Sequence, residues 1–170
     1  MEREGFSRAM NTIQGSGQAA GFRFAVVVAK YNDFVTDRLQ AGALAALAEA
    51  GVAPSDITLV RVPGAFEIPL AALHAAESGR FDAVVCLGCL IRGETAHFEY
   101  ISSAVSHGLT DAAATTGVPI AFGVLTTNSI EEALARAVDG SGNKGHEAAV
   151  AAIEMAEVVA QLTRQAAPRT

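Results

Sequence analysis

The sequence has no tryptophan, few other aromatic residues and no run of lysine and arginine. Aromatic residues make up 6% of the 170 positions, and the formal charge is −6, with 18 acidic and 12 basic side chains. Without a basic patch, the chain lacks the electrostatic footprint of proteins that bind nucleic acid or anionic lipid. We therefore expect neither nucleic acid nor a membrane surface among its partners.

Long apolar runs are also missing. No stretch approaches the roughly 20 consecutive apolar residues that a membrane-spanning helix needs. The opening residues, MEREGFSRAMNTIQGSGQ, contain no apolar core of the kind that marks a signal peptide. A cytoplasmic location is the expectation.

Small apolar residues are what the chain has in abundance, and 51% of it is hydrophobic. Short β-branched runs alternate with longer stretches of Ala and Leu, a pattern typical of a parallel sheet covered by helices. The predicted strands are residues 22–29, 57–62, 82–88 and 118–127. Right-handed crossovers between them place helices on both faces, so we predict an α/β fold: a three-layer α/β/α, doubly wound, four-stranded parallel sheet.

Several residues mark the ends of the predicted helices. Thr36 is the predicted N-cap of the first helix, and Gly51 ends it. A long helix follows the third strand and runs to about Thr116, Ser129 begins a capping box, and the last helix spans about 146–162.

One domain of residues 12–162 is expected, between a flexible arm of residues 1–11 and a flexible tail of residues 163–170. Residues 1–21 are rich in Gly, Ser and Gln, which predicts a loosely held segment. Only NTIQG, residues 11–15, has the composition of a short strand.

The unusual residues of the sequence follow the predicted strands. They are KYND (30–33), PGAFEIP (63–69), GCLIRGETAH (88–97) and TTN (126–128). Because ligands of doubly wound sheets bind outside the carboxyl ends of the strands, these four segments predict one shared site.

Two familiar motifs lack the context that their usual functions require. GSGNKG, residues 140–145, has the spacing of a dinucleotide-binding loop, but a helix precedes it where that loop needs a strand. Cys86 and Cys89 form a C-x-x-C pair, yet Cys86 lies inside an apolar strand rather than at an exposed helix start. We interpret the first as a glycine turn and the second as two inert thiols.

The segment LIRGETAH is the strongest candidate for chemistry. Gly93, Glu94 and Thr95 precede or begin a helix, where free backbone amides can bind phosphate or carboxylate. His97 could exchange protons with a substrate held there, or it could simply cap the helix and pack on its neighbours. Arg92 fits a phosphate ligand and a structural ion pair equally well.

The other loops carry groups suited to a flat, polar ligand. Tyr31 and Phe66 could stack on a heterocycle, although Phe66 could also plug the core. Asn32, Glu67 and Asn128 could form hydrogen bonds to a polyol or a ring edge.

Taken together, KYNDF, VPGAFEIP, LGCLIRGETAHFEYI, TTGVPIAFGVLTT and GNKG resemble the 6,7-dimethyl-8-ribityllumazine synthase family over residues 12–162. The resemblance implies a flavodoxin-like fold and the penultimate step of riboflavin biosynthesis. In that step 5-amino-6-(D-ribitylamino)uracil condenses with 3,4-dihydroxy-2-butanone 4-phosphate. No metal or organic cofactor is implied.

The resemblance also implies roles for individual residues. His97 matches the proton-transfer histidine, and Glu147 stands where an acidic residue is usual and could orient it. The residues that match phosphate-substrate contacts are Gly93, Glu94, Thr95 and Arg136. The residues that match pyrimidine and ribityl contacts are Tyr31, Asn32, Ala65, Phe66, Glu67, Cys89, Leu90, Ile91, Phe122 and Lys144. Of these, Phe122, Arg136 and Lys144 match positions that reach the site from a neighbouring subunit.

Members of that family assemble as pentamers, in which the N-terminal arm adds a strand to the next subunit's sheet. The short DGSGNKG connection favours a sixty-subunit shell of twelve pentamers, with riboflavin synthase as a possible partner. Two alternatives stay open: a lumazine or flavin binder without catalysis, and a thiol redox protein that uses Cys86 and Cys89.

Overall fold

A single parallel sheet organises the molecule. The computed structural model describes residues 10–165, and within them four strands pair in the order β2-β1-β3-β4. All three pairings are parallel. The strands are β1 Phe24–Ala29, β2 Ile57–Val62, β3 Ala83–Ile91 and β4 Ile120–Thr127.

Helices cover both faces of this sheet. Among the described residues they are α1 Asp33–Glu49, α2 Ile68–Glu77, α3 His97–Thr116, α4 Ile130–Ala135 and α5 Lys144–Gln165. Helices α1, α4 and α5 share one apolar core with the sheet. Helices α2 and α3 share the other. The predicted three-layer, doubly wound architecture is confirmed.

Strand β1 joins the two cores. All six of its residues are buried. Val26 and Val28 face the core beneath α1 and α5, whereas Val27 faces the core beneath α2 and α3. Successive side chains of a strand point to opposite faces, so a continuous apolar run is what a sheet covered on both sides requires. Burying each such valine contributes about 1.5–3 kcal/mol.

The predicted start of the first helix is wrong. Helix α1 begins at Asp33, and its N-cap is Asn32, in the left-handed conformation with φ of 61°. Thr36 lies buried in the first turn, where its Oγ1 donates a hydrogen bond to the Ala29 carbonyl at 2.8 Å. A threonine that looked like a cap therefore ties the helix to the end of β1.

Other boundaries also differ from those predicted, and β1 and β4 each begin two residues later than expected, at Phe24 and Ile120. Strand β3 continues to Ile91, because Leu90 and Ile91 pair with Thr126 and Thr127 of β4. Helix α5 begins at Lys144 rather than near residue 146, and it extends to Gln165. The long helix does end at Thr116, and Ser129 does cap α4 by accepting the amide of Glu132.

The predicted arm and tail fall largely on residues 1–9 and 166–170, which lie outside the described residues. Residues 14–18, expected to be loosely held, are anchored on α5. The Glu157 carboxylate accepts hydrogen bonds from Ser16 Oγ at 2.6 Å and from the Gly17 amide at 3.0 Å. The segment NTIQG, whose residue Gln14 accepts a bond from Gln161 Nε2 at 3.1 Å, forms no strand within this chain.

Residues 10–165 contain no helix that is both long enough and apolar enough to span a bilayer.

Candidate active site

A cavity of about 690 Å³ opens at the carboxyl edge of the sheet, where the loops after β1, β2 and β3 meet. Ten of its lining residues were singled out in the sequence: Tyr31, Asn32, Ala65, Phe66, Glu67, Leu90, Ile91, Gly93, Thr95 and His97. The predicted convergence of these loops is therefore present. Asn128, which follows β4, contacts Arg92 instead of lining the cavity.

Two aromatic side chains stand over this cavity. Tyr31 is 72% exposed and Phe66 is 61% exposed. Phe66 lies in a short 3-10 turn, Ala65–Glu67, while the next residue, Ile68, is fully buried and begins α2. The core position is thus filled by Ile68, and Phe66 does not act as a core plug.

Asn32 and Cys89 connect two loops beneath the cavity. Asn32 Nδ2 donates a hydrogen bond to the Cys89 carbonyl at 2.9 Å. The Cys89 side chain is buried and does not line the cavity, so its predicted ring contact is not visible within the chain. Its carbonyl instead fixes the position of Asn32.

Both cysteines have the properties of inert thiols. Each is buried and unpaired by any disulfide within the described chain. Burial raises the pKa of the Cys89 thiol to about 11 and raises the pKa of the Cys86 thiol further still. Because the thiolate is the reactive form, neither side chain suits redox chemistry at neutral pH.

The loop before α3 presents open backbone amides. Within residues 10–165, the amides of Gly93 through Glu99 have no backbone acceptor, and the first one paired again is that of Tyr100. Amides of this kind, at the start of a 20-residue helix, form an anion-binding site with the helix dipole. Glu94 is exposed and lies outside the cavity lining, as expected if only its amide faces an anion.

Arg92 is a structural residue within this chain. Its guanidinium forms an ion pair with Glu99 and donates from Nε to Asn128 Oδ1 at 3.0 Å. It also lies over the Phe98 ring, 4.5 Å from the ring centre. These contacts brace the loop between β3 and α3 against the end of β4, as the interpretation of Arg92 as a structural ion pair expects.

His97 is the first residue of α3 and lines the cavity with its side chain exposed. The N-cap of that helix is Ala96, so His97 does not serve as the cap. The side chain can therefore reach a ligand held between the aromatic wall, formed by Tyr31 and Phe66, and the open amides.

A second cavity of about 360 Å³ lies beside the outer edge of β4. It collects four more of the predicted residues: Phe122, Arg136, Lys144 and Glu147. In one chain this cavity is separate from the first, so Arg136 does not meet the open amides. Glu147 contacts Lys144 Nζ at 2.7 Å rather than His97.

Sequence reasoning missed Phe98 and Ile101 as cavity residues. Ile101 lies one helical turn after His97, and this i, i+4 spacing was the available signal. Within the described part of the chain, no group of three or more His, Cys, Asp or Glu side chains could hold a metal ion.

Comparison with known proteins places the chain in a family. A profile described as 6,7-dimethyl-8-ribityllumazine synthase matches residues 21–160. A protein of that name from Syntrophus aciditrophicus (strain SB) is 54% identical over 144 residues, which is 85% of this chain and 94% of the relative. Another of the same name, from Desulfotalea psychrophila (strain LSv54), is 50% identical over 149 residues, covering 88% of this chain and 96% of the relative.

The matched region includes all four strands and both cavities. The resemblance inferred from the sequence motifs is therefore confirmed. The chain belongs to the 6,7-dimethyl-8-ribityllumazine synthase family, and it is accordingly an enzyme, a transferase of riboflavin biosynthesis.

Proposed function

We propose that this chain condenses 5-amino-6-(D-ribitylamino)uracil with 3,4-dihydroxy-2-butanone 4-phosphate in the cavity at the carboxyl edge of its sheet. One observation carries the proposal. The same 690 Å³ cavity combines an exposed aromatic wall with a helix start whose amides are open. A planar substrate and a phosphorylated one can therefore lie side by side.

The pyrimidine ring stacks on the aromatic wall formed by Tyr31 and Phe66, because flat rings pack well on exposed aromatic faces. Its ribityl chain lies along the turn of Ala65 and Glu67, where backbone groups and a carboxylate offer hydrogen bonds. The ring edge meets the backbone and side chains of the last residues of β3: Cys89, Leu90 and Ile91. Asn32, held by the Cys89 carbonyl, completes this side of the site.

The phosphate of the second substrate binds at the start of α3. Amides of Gly93, Glu94 and Thr95 supply donors and the positive end of the helix dipole. An anion of this charge also favours a cationic partner. Arg92 is engaged by Glu99 and Asn128, so Arg136 from a neighbouring subunit takes that role.

His97 transfers protons between the two bound substrates. The amine of the pyrimidine attacks the ketone carbon, and loss of water gives an imine. Phosphate then leaves, and the ribitylamino nitrogen closes the ring with loss of a second water. Each step moves a proton, and a histidine at the cavity rim can accept and return it. Holding both substrates in one geometry contributes much of the acceleration.

The active unit is a homo-oligomer in which the second cavity of one subunit faces the first cavity of the next. The proposed assembly is a pentamer, with twelve pentamers forming a shell. Phe122, half-exposed on the edge strand β4, then packs on the neighbour's substrate, as do Arg136 and Lys144. Glu147 could orient His97 only across such an interface, since it contacts Lys144 in its own chain. The proposed location is the cytoplasm, where riboflavin synthase would take up the product.

Turnover by the purified protein tests this function. With both substrates present, absorbance should report the lumazine, and one phosphate should be released for each lumazine formed. A chain that binds lumazine tightly but forms neither product would be a binding protein, and the proposed catalysis would then be wrong.

A further inference from the structure

The turn between α4 and α5 contains GSGNKG, the glycine-rich motif that fails as a nucleotide-binding loop. At its centre, Asn143 is only 2% exposed. Burying an amide side chain is costly unless its donors and acceptors are paired. The bonds of Asn143 therefore reveal what the motif does.

Asn143 binds two helices through one side chain. Its Nδ2 donates to the Arg38 carbonyl of α1 at 3.1 Å. Its Oδ1 accepts the amides of Gly145 at 2.8 Å and His146 at 3.2 Å, in the first turn of α5. The side chain thus caps α5 and ties the start of that helix to α1.

Glycines make this contact possible. A Cβ on Gly42 of α1 would overlap Asn143 Oδ1, and a Cβ on Gly145 would overlap the Leu39 carbonyl. Gly140 has φ of +94°, a conformation that glycine adopts readily and other residues rarely do. The motif therefore allows the two helices to approach at backbone distance beside the turn.

The same turn also holds the backbone of Arg136, which carries one of the two cations of the second cavity. The Lys144 amide donates to the Arg136 carbonyl at 2.9 Å, and the Asn143 amide donates to the Gly140 carbonyl at 3.1 Å. Two hydrogen bonds, joined through the peptide bond between Asn143 and Lys144, therefore connect α1 to the backbone of Arg136.

We propose that Asn143 is a positioning residue that holds the turn against α1 and so sets the Arg136 guanidinium where it meets the substrate phosphate. This inference rests on the proposed role of Arg136 in binding the butanone phosphate. Asn143 touches neither substrate, and its effect passes through Arg136.

The test measures KM for 3,4-dihydroxy-2-butanone 4-phosphate in the full-length protein. Asn143→Ser keeps a short oxygen that can cap α5 but cannot reach the Arg38 carbonyl. KM should rise about fivefold, less than the roughly tenfold rise expected on removing Arg136, because the guanidinium is displaced rather than lost. Gly42→Ala disturbs the same contact from α1, leaves Asn143 in place and should raise KM in the same direction.

A double-mutant cycle of Asn143→Ser and Arg136→Ala distinguishes a positioning role of Asn143 from a purely structural one. In the Arg136→Ala background, Asn143→Ser should change this KM less than about twofold, because the group it positions is gone. Asp82→Ala is the matched control, since it removes a 2.7 Å bond from the Arg23 amide at the amino ends of the central strands β1 and β3. That variant should keep the KM of the unsubstituted protein.

Three results would overturn the inference. An unchanged KM in both Asn143→Ser and Gly42→Ala would show that the contact does not position Arg136. An equal rise in KM with and without Arg136 would show that Asn143 acts independently of it. If Arg136→Ala itself left KM unchanged, the proposed function of Arg136 would fail together with this inference, whereas the first two results leave that function intact.

Discussion

At the scale of single residues, Arg92 and Arg136 differ in how many contacts their guanidinium groups already make within the chain. Arg92 has an ion pair, a side-chain hydrogen bond and an aromatic ring beneath its guanidinium. Arg136, directly after α4, donates from its guanidinium to the Glu132 carbonyl of that helix at 2.9 Å. It lines the second cavity beside Lys144. A side chain that binds phosphate needs hydrogen-bond donors that are not already used, and the smaller number of contacts favours Arg136 for this role.

Replacing Arg136 with alanine should therefore weaken phosphate binding selectively. We expect KM for the butanone phosphate to rise about tenfold, as for a lost hydrogen bond between charged groups. KM for the pyrimidine should change much less. Steady-state kinetics with each substrate varied in turn gives both values. Arg23→Ala, at the amino end of the central strand β1, is the control. Equal losses for both substrates would contradict the assignment.

His97→Ala should slow the reaction without abolishing it. Removing a general acid-base group typically costs a factor of about 10²–10⁴, while substrate positioning continues to contribute. We expect kcat to fall by about 10²-fold, the smallest loss in that range, with little change in KM for either substrate. His107→Ala removes another exposed histidine of α3 and should retain full activity. Normal kcat in His97→Ala would exclude this histidine from proton transfer.

At the scale of secondary-structure elements, the sequence predicted the strands and helices that follow from apolar periodicity. It missed the helix starts that depend on single side-chain contacts. All four strands and the long α3 helix were expected, because apolar pattern and strand alternation specify them. The start of α1 was missed, because Asn32 adopts a left-handed conformation that leaves Thr36 inside the helix. The start of α5 was missed, because the cap is Asn143, inside a motif that looked like a simple turn.

The N-terminal segment on α5 should be acid-sensitive. Partial burial opposes ionisation of Glu157, but hydrogen bonds from Ser16 and the Gly17 amide outweigh it and hold the pKa of this carboxyl below its usual value. A lowered pKa in the folded state means that the anchored segment is stabilised at neutral pH. That stabilisation is lost as the pH falls from the usual carboxyl value of 4.5 through the lowered value.

Hydrogen exchange of the Gly17 amide measures this anchoring. Glu157→Gln offers one acceptor oxygen in place of two, so the protection factor at neutral pH should fall about fivefold. The unsubstituted protein should show the same loss of protection in acid. Glu154→Gln changes a neighbouring exposed carboxylate of α5 and should leave protection unchanged. Equal protection in the Glu157 and Glu154 variants would mean that the carboxylate does not anchor the segment.

At the scale of the whole molecule, most of the predicted site residues line one of two cavities, and these cavities are separate within one chain. The first holds His97 and the aromatic wall, and the second holds Arg136 and Phe122. Local motifs predicted the first, because each of its loops follows a strand. The role proposed for Arg136 in a neighbouring subunit's site came from the family resemblance alone, since nothing in spacing or composition reveals a contact between two copies of a chain.

Light scattering on the purified protein tests the proposed assembly. Sixty chains of 17.5 kDa give about 1,050 kDa, and five give about 88 kDa. We expect the larger mass, because the connection DGSGNKG is short and carries no insertion. A mass near 88 kDa would restrict the assembly to pentamers. A mass near 17.5 kDa would contradict any shared site.

Subunit complementation tests the central claim, that one active site uses two chains, most directly. The His97→Ala chain keeps Arg136, and the Arg136→Ala chain keeps His97, so each alone should turn over poorly at low phosphate-substrate concentration. After the two chains are unfolded together and reassembled in equal amounts, about one quarter of the sites should contain both intact residues, and activity should recover to that extent. Activity that stays at the average of the two separate variants, in a mixed assembly of normal size, would show that His97 and Arg136 do not meet across an interface.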